Sequence, residues 1–183
     1  MKKHLVLMLL LFSSIIIAQE EKKDSETVKT KMDVFASKTG VITKFVDYNL
    51  PQVKGSYGAI SDARVRKIVS GTTSLFFYQI IKEGKYSNST ASIEYTDLLE
   101  VIKALKSLKV DVEKDIQSAP DYLENKFTTV DGFQVGYYVS KGKAVWYLKL
   151  EKYGSDNTLF VNDAEALESS FDSAKLKIEE LKK

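Results

Sequence analysis

The chain has 183 residues, of which 44% are hydrophobic, 28% charged and 11% aromatic, and 27 Lys+Arg stand against 25 Asp+Glu for a formal net charge of +2. It has no cysteine, and its one histidine, His4, lies among the first few residues. Beyond that start there is neither thiol nor imidazole, which removes Ser-His-Asp and Cys-His nucleophilic catalysis, zinc sites of the usual type, disulfide switches and haem held by His or Cys.

The chain opens with "MKKHLVLMLLLFSSIIIA". Lys2 and Lys3 form a positive start, an apolar run follows, and the small Ala18 precedes the polar "QEEKKDSE". This is the layout of a secretory signal peptide, with cleavage expected between Ala18 and Gln19. The competing reading is an uncleaved anchor, but the run is shorter than the roughly 20 residues that span a bilayer. Export to the periplasm or the outside is therefore expected, with no membrane span once the leader is gone. Its removal takes two lysines and no acid, so the remainder is formally neutral. A neutral chain lacks the clustered Lys and Arg from which phosphate-backbone affinity comes, so nucleic acid is not the expected partner. Without cysteine, stability has to come from a core, and a domain of this size buries roughly 68–70% of its unfolded surface.

Residues 19–39 are dense in charge and read as a lead-in, with a weakly patterned helix over residues 25–36. From residue 40 the pattern turns to strands. "VITKFVDYNL" places Ile42, Val46, Tyr48 and Leu50 on one face, and Pro51 and Gly55 mark a loop. "AISDARVRKIVSG" predicts a second strand. "SLFFYQIIKEG" predicts a third with apolar residues on both faces, the mark of a covered central strand. "STASIEY" alternates as a fourth. A helix follows, with Asp97 as its cap, Glu100 three residues on, and a stripe of Leu98, Ile102, Leu105, Leu108 and Val112. This closes a first half, residues 40–117.

Residues 118–183 repeat the order. "YLENKFTTV", "FQVGYYVS", "AVWYLKLEKY" and "TLFV" predict four strands, turned at Asp131-Gly132, at "KGK" and at "GSDN". Asn162 or Asp163 caps a final helix whose stripe is Ala164, Leu167, Phe171, Ala174, Ile178 and Leu181. The expected fold class is thus α+β: two sequential ββββα units, each an antiparallel meander followed by an amphipathic helix, sharing one core because one helix cannot cover one sheet alone.

A tandem of four antiparallel strands and a helix resembles the Whirly and PUR-repeat families of single-strand nucleic-acid binders. The likeness covers the element order of residues 41–181. Its nearest local form is "VWYLKLEKYGSDNTLFVNDAEALESSFDSAKLKIEEL", which looks like the second half of a PUR-type repeat. The resemblance implies a related scaffold. It carries over no nucleic-acid-contacting residue, and the leader and neutral charge point to a different use.

Two sets of side chains are candidates for binding. Alternation puts Phe133, Val135, Tyr137 and Val139 on one face, with Trp146, Leu148 and Leu150 inward on the next strand. Tyr138 and Tyr147 then point the other way, beside Gln134, Ser140 and Lys149. They are either half-covered sheet residues or a flat aromatic platform for a glycan or an envelope protein, since tyrosine joins apolar area to a polar tip. Counting back from the "KGK" turn pairs Ser140 with Lys143 and Tyr138 with Val145, with Tyr147 one diagonal step on. Arg64 and Arg66 share one face of a strand; they either grip an anion in bidentate fashion or meet nearby acids. No acidic spacing forms a calcium loop, no carboxylate pair stands out for glycoside hydrolysis, and no cofactor is implied. The leading expectation is a non-catalytic extracytoplasmic binding or accessory protein. An enzyme built on carboxylate, Lys or Tyr chemistry and a single-strand nucleic-acid binder are the alternatives.

Overall fold

The computed structural model describes residues 29–183. The leader, the expected cleavage point between Ala18 and Gln19, and residues 19–28 of the charged lead-in lie outside the described residues. A short helix α1 (Lys31–Ala36) comes first. Strands β1 (Thr43–Lys54), β2 (Ile60–Ser70), β3 (Thr73–Lys82) and β4 (Ser89–Glu94) precede α2 (Tyr95–Gln117), and β5 (Leu123–Thr128), β6 (Gln134–Ser140), β7 (Lys143–Lys149) and β8 (Thr158–Val161) precede α3 (Ala164–Leu181). The strands form two antiparallel four-stranded sheets in sequence order, β1-β2-β3-β4 and β5-β6-β7-β8. The fold is α+β, built from two ββββα units.

Alternation within each strand sorts the side chains into two faces. Val65, Tyr78, Ile80 and Ile93 of the first sheet are buried with Val135, Tyr137 and Leu148 of the second in a single cluster. The helices fill the space between the sheets, and they do so crosswise. Helix α2 follows the first sheet but lies against β5 and β6 as well as β3 and β4, whereas α3 lies against β1 and β2. Two buried tyrosines record the exchange. The Tyr78 hydroxyl on β3 shares a 2.6 Å hydrogen bond with Ser170 on α3, and the Tyr137 hydroxyl on β6 donates to Asp115 on α2 at 2.7 Å. Phe171 of α3 meets Tyr78 edge-on at 6.1 Å and Phe133, from the second unit, at 6.4 Å. Neither half has a core of its own.

The two long helices run antiparallel. The Tyr95 hydroxyl at the start of α2 donates to Glu179 near the end of α3, while Lys109 farther along α2 reaches Glu165 and Glu168 in the first turns of α3. In α3, Ala164, Leu167, Phe171, Ala174 and Ile178 are all buried, and Asp163 caps the helix by accepting from the Ala166 N–H at 2.8 Å. In α2 the buried stripe is Leu98, Val101, Leu105 and Leu108, with Ile102 and Val112 packed at its margin.

Three expectations are corrected. Glu94, not Asp97, caps α2, because the carboxylate one residue before the helix reaches the Thr96 N–H while Asp97 sits in the first turn. Asp97 instead receives both its bonds from the Lys31 ammonium of α1, at 2.7 Å. Pro51 does not end β1. The strand runs on to Lys54 through a register shift between Leu50 and Val53, which an edge strand tolerates because the missing N–H faces no partner. Ile42 lies just before β1 and is 90% exposed, so it does not share the inner face with Val46, Tyr48 and Leu50.

Candidate functional site

The two sheets differ on their outer faces. On the first, α1 lies across the sheet, burying Phe35 against Ile68 and Phe77, with Met32 and Leu75 at the edge. Its capping box is internal, Thr30 with Asp33, and the Lys31 N–H donates to Asp131, a carboxylate in the β5–β6 turn. Burial, together with the nearby Asp97 and Asp33, pushes the Asp131 carboxyl up. Beyond α1 the same face carries a chain of hydrogen bonds across the four strands. Arg66 grips Asp47 with two bonds of 2.7 Å, Arg64 meets the same carboxylate at 3.0 Å and donates to Gln79 at 2.8 Å, and Gln79 donates to Ser92 at 2.8 Å. Register explains the order: Asp47 is opposite Arg66, Arg64 opposite Gln79, and Gln79 opposite Ser92. The arginine pair is thus brought together, and its two guanidinium groups converge on a carboxylate of their own sheet. The Arg66 hydrogen bond holds the Asp47 carboxyl below its ordinary value and raises the arginine in turn.

The outer face of the second sheet has no helix over it among the described residues. Its side chains form rows across the strands. Glu124, Tyr138 and Val145 make one row; Lys126, Gly136, Tyr147 and Phe160 the next; Gln134, Lys149 and Thr158 the third. Ser140 is opposite Lys143 and Tyr138 opposite Val145, the pairing that counting back from the turn gives. Tyr138 and Tyr147 are brought to one face as diagonal neighbours.

Two aromatic residues that sequence reasoning missed complete the group. Tyr122, just before β5, stacks on Tyr138 with ring centres 6.1 Å apart and planes 24° apart. Phe160 of β8 meets Tyr138 edge-on at 6.5 Å. Tyr122 is 63% and Phe160 42% exposed, so the platform opens to solvent. Phe160 could have been found by continuing the register from Tyr147 across the "GSDN" turn. Tyr122 opens the predicted strand "YLENKFTTV" and alternates with Glu124 and Lys126, so the same count would have put it on this face, although β5 itself begins at Leu123.

Tyr147 itself is buried, and its hydroxyl donates to Glu124 at 2.6 Å. Burial, with the Glu124 carboxylate beside it, pushes this phenol well above the ordinary tyrosine range. Glu124 also takes a 2.8 Å bond from Lys126, and these two partners lower its carboxyl, Lys126 contributing more. Gly136 explains how the face closes at this point. A Cβ there would stand 2.5 Å from the Asn125 carbonyl oxygen and 2.7 Å from the Lys126 Cβ, so only glycine lets β5 draw in over β6. The result is a shallow depression of about 340 Å³, lined by Glu124, Lys126, Gln134, Tyr138, Tyr147 and Lys149 and closed on its far side by β8.

A second concavity of about 330 Å³ lies between α1, β4 and the segments around Asp131 and Glu151. Its carboxylates are already engaged: Asp33 in the α1 cap, Asp131 on the Lys31 N–H, and Glu151 on the Thr90 N–H at 2.6 Å. Among the described residues no three acidic side chains converge as a metal site, and no helix is long and apolar enough to cross a membrane. Comparison with protein-family models, with curated proteins and with solved structures gives no match to this chain.

Proposed function

We propose that this protein is a non-catalytic, exported binding protein whose ligand is a glycan held on the outer face of the second sheet. The observation that carries the reading is the open aromatic platform of Tyr122, Tyr138 and Phe160 beside a polar depression, on a sheet face that no helix covers. A sugar ring offers an apolar C–H face and a rim of hydroxyls, and this surface offers the complement of each: ring faces for stacking and amide, ammonium and carboxylate groups for hydrogen bonds. The apolar part is only a few side chains wide and charged residues flank it, whereas a stable protein interface buries about 800 Å² on each partner.

The chemistry of the depression favours binding over turnover. Glycoside hydrolysis uses two carboxyl groups, one with a raised pKa to act as acid. Glu124 is the one carboxylate lining the depression, and Lys126 and Tyr147 hold it ionised. The leader "MKKHLVLMLLLFSSIIIA" supports export.

The test is migration in native gels containing dissolved polysaccharides. The purified protein is expected to be retarded by at least one of them, and the Tyr122→Ala/Tyr138→Ala double variant, with an unchanged circular dichroism spectrum, to run freely. Equal retardation of both proteins, or none in any gel, refutes the reading. Mass spectrometry of protein secreted by its own cells, with a mature chain starting at or near Gln19, checks export.

A further inference from the structure

The depression is not uniform along its length. Its aromatic end is the row of Tyr138 and its neighbours, while its polar end, two rows away, is Gln134, Lys149 and Thr158. Along a strand two rows are four residues, about 13 Å, which is the length of a short oligosaccharide and not of a single sugar.

The charges at the two ends are in different states. At the aromatic end, Lys126 is spent on Glu124, and Glu124 has Tyr147 as well. At the polar end, the Lys149 charge helps to lower the Glu124 carboxyl from a distance, but among the described residues the ammonium has no carboxylate within salt-bridge reach, and the Gln134 amide makes no side-chain hydrogen bond. Lys149 is half-buried between β6 and β8, opposite Gln134 on one side and Thr158 on the other. A cation held this way is partly stripped of water and, among the described residues, has no carboxylate in direct contact. On the first sheet both guanidinium groups of the outer face have Asp47.

We propose that the second sheet selects an anionic oligosaccharide, one whose sugars carry ring carboxylates. This rests on the glycan reading above and adds the charge class and the residue that reads it. Lys149 meets a uronate carboxylate, Gln134 beside it bonds the same group or a neighbouring hydroxyl, and Tyr122 and Tyr138 take the C–H face of a ring farther along. Charge complementarity fixes the class: the depression is lined by two ammonium groups, Lys126 and Lys149, and by Glu124 as its carboxylate, so a neutral ligand would leave a positive charge unmatched and an acidic one supplies the missing charge.

The experiment is calorimetric titration of the full chain with oligogalacturonate and oligoalginate, beside methyl-esterified oligogalacturonate and a neutral cello-oligosaccharide as uncharged counterparts. At least one acidic oligomer is expected to bind ten times or more tighter than the uncharged ones. Lys149→Gln should remove that preference, Tyr138→Ala should weaken acidic and uncharged oligomers alike, and Lys44→Gln, on the exposed edge of the first sheet, should change nothing. Equal binding of charged and uncharged oligomers, unmoved by Lys149→Gln, overturns the anionic class and leaves the glycan reading standing. Binding of no oligomer overturns both. Acidic binding that survives Tyr138→Ala but falls equally with Lys44→Gln is plain ion exchange and overturns the proposal. So does a concentration-dependent dimer in sedimentation that Tyr122→Ala dissolves, because the face would then be an interface between copies of the chain.

Discussion

Each of the two sheets turns one face inward and one outward, and their inner faces are alike in being apolar and shared. Their outer faces are not alike. On the first sheet, α1 covers Ile68 and Phe77, and the remaining polar groups, from Asp47 through both arginines to Gln79 and Ser92, satisfy one another. On the second sheet the rings of Tyr122 and Phe160 stand open, and among the described residues the side chains of Lys149 and Gln134 make no direct ion pair or hydrogen bond. The comparison teaches that aromatic or charged content alone does not mark a binding face. The first sheet has the arginines, but the polar groups of their row already have partners, so a ligand there would have to displace internal bonds. A surface is available for recognition where side chains have been brought together by register and left without one another.

The largest expected effect tests whether the difference really is confined to the outer faces. Phe171 packs edge-on against both units. Phe171→Ala should cost roughly 3–5 kcal/mol, and its denaturant melt should remain a single transition whether followed by Trp146 fluorescence or by circular dichroism. Two separated transitions would mean that each sheet has its own core, and the contrast would then be between two domains. Asp172→Ala, one residue along on the partly exposed side of α3, should stay within about 0.5 kcal/mol.

Removing the cover from the first sheet comes next. Phe35→Ala should cost about 2 kcal/mol, less than Phe171 because α1 can detach on its own. Hydrogen exchange in α1 should rise while α2 and α3 keep their protection. Glycan binding at the second sheet should be unchanged; its loss would show that the two outer faces are not independent.

Arg66→Ala probes the internally satisfied polar chain. Both partners are partly exposed, Asp47 at 30% and Arg66 at 22%, so the expected loss is about 1 kcal/mol. The pH dependence carries a sign. The Asp47 carboxyl is held below its ordinary value chiefly by the Arg66 hydrogen bond. Its contribution is therefore complete above the unfolded value near 3.9 and is lost as pH falls through about 4 and below. Urea melts across that window should show a shallower decline in Arg66→Ala than in the parent, and an identical slope would remove Asp47 from the account.

The smallest stability effect should accompany a large binding effect. Tyr122→Ala alters a ring that is 63% exposed, so stability should move by no more than about 0.5 kcal/mol, while retardation in polysaccharide gels falls markedly. If stability falls by as much as for Phe35→Ala, the tyrosine is structural and the open face is less open than its exposure suggests.

The sequence by itself determined the elements. Strict alternation in "FQVGYYVS" and the three-four spacing from Ala164 to Ile178 depend only on local period, so the strands, both long helices and the inward set Phe133, Val135, Tyr137 and Val139 were all legible, while the cap of the last helix was narrowed only to Asn162 or Asp163. A two-residue turn fixes register, which is why Ser140 opposite Lys143 could be read as well. What only the tertiary structure decided lies at longer range. Nothing local says that α2 crosses to the second sheet and α3 to the first, because an apolar stripe specifies a face to be covered and not the partner that covers it. Nor could alternation foretell that Asp47 stands opposite Arg66, across a strand pair whose register shifts at Leu50 and Val53, or that α1 settles on the first sheet and leaves the second bare. The availability of Tyr122, Tyr138 and Lys149 follows from that last choice. A side chain's chemistry is written in its own residue, but whether it is already satisfied depends on neighbours that packing brings from elsewhere in the chain.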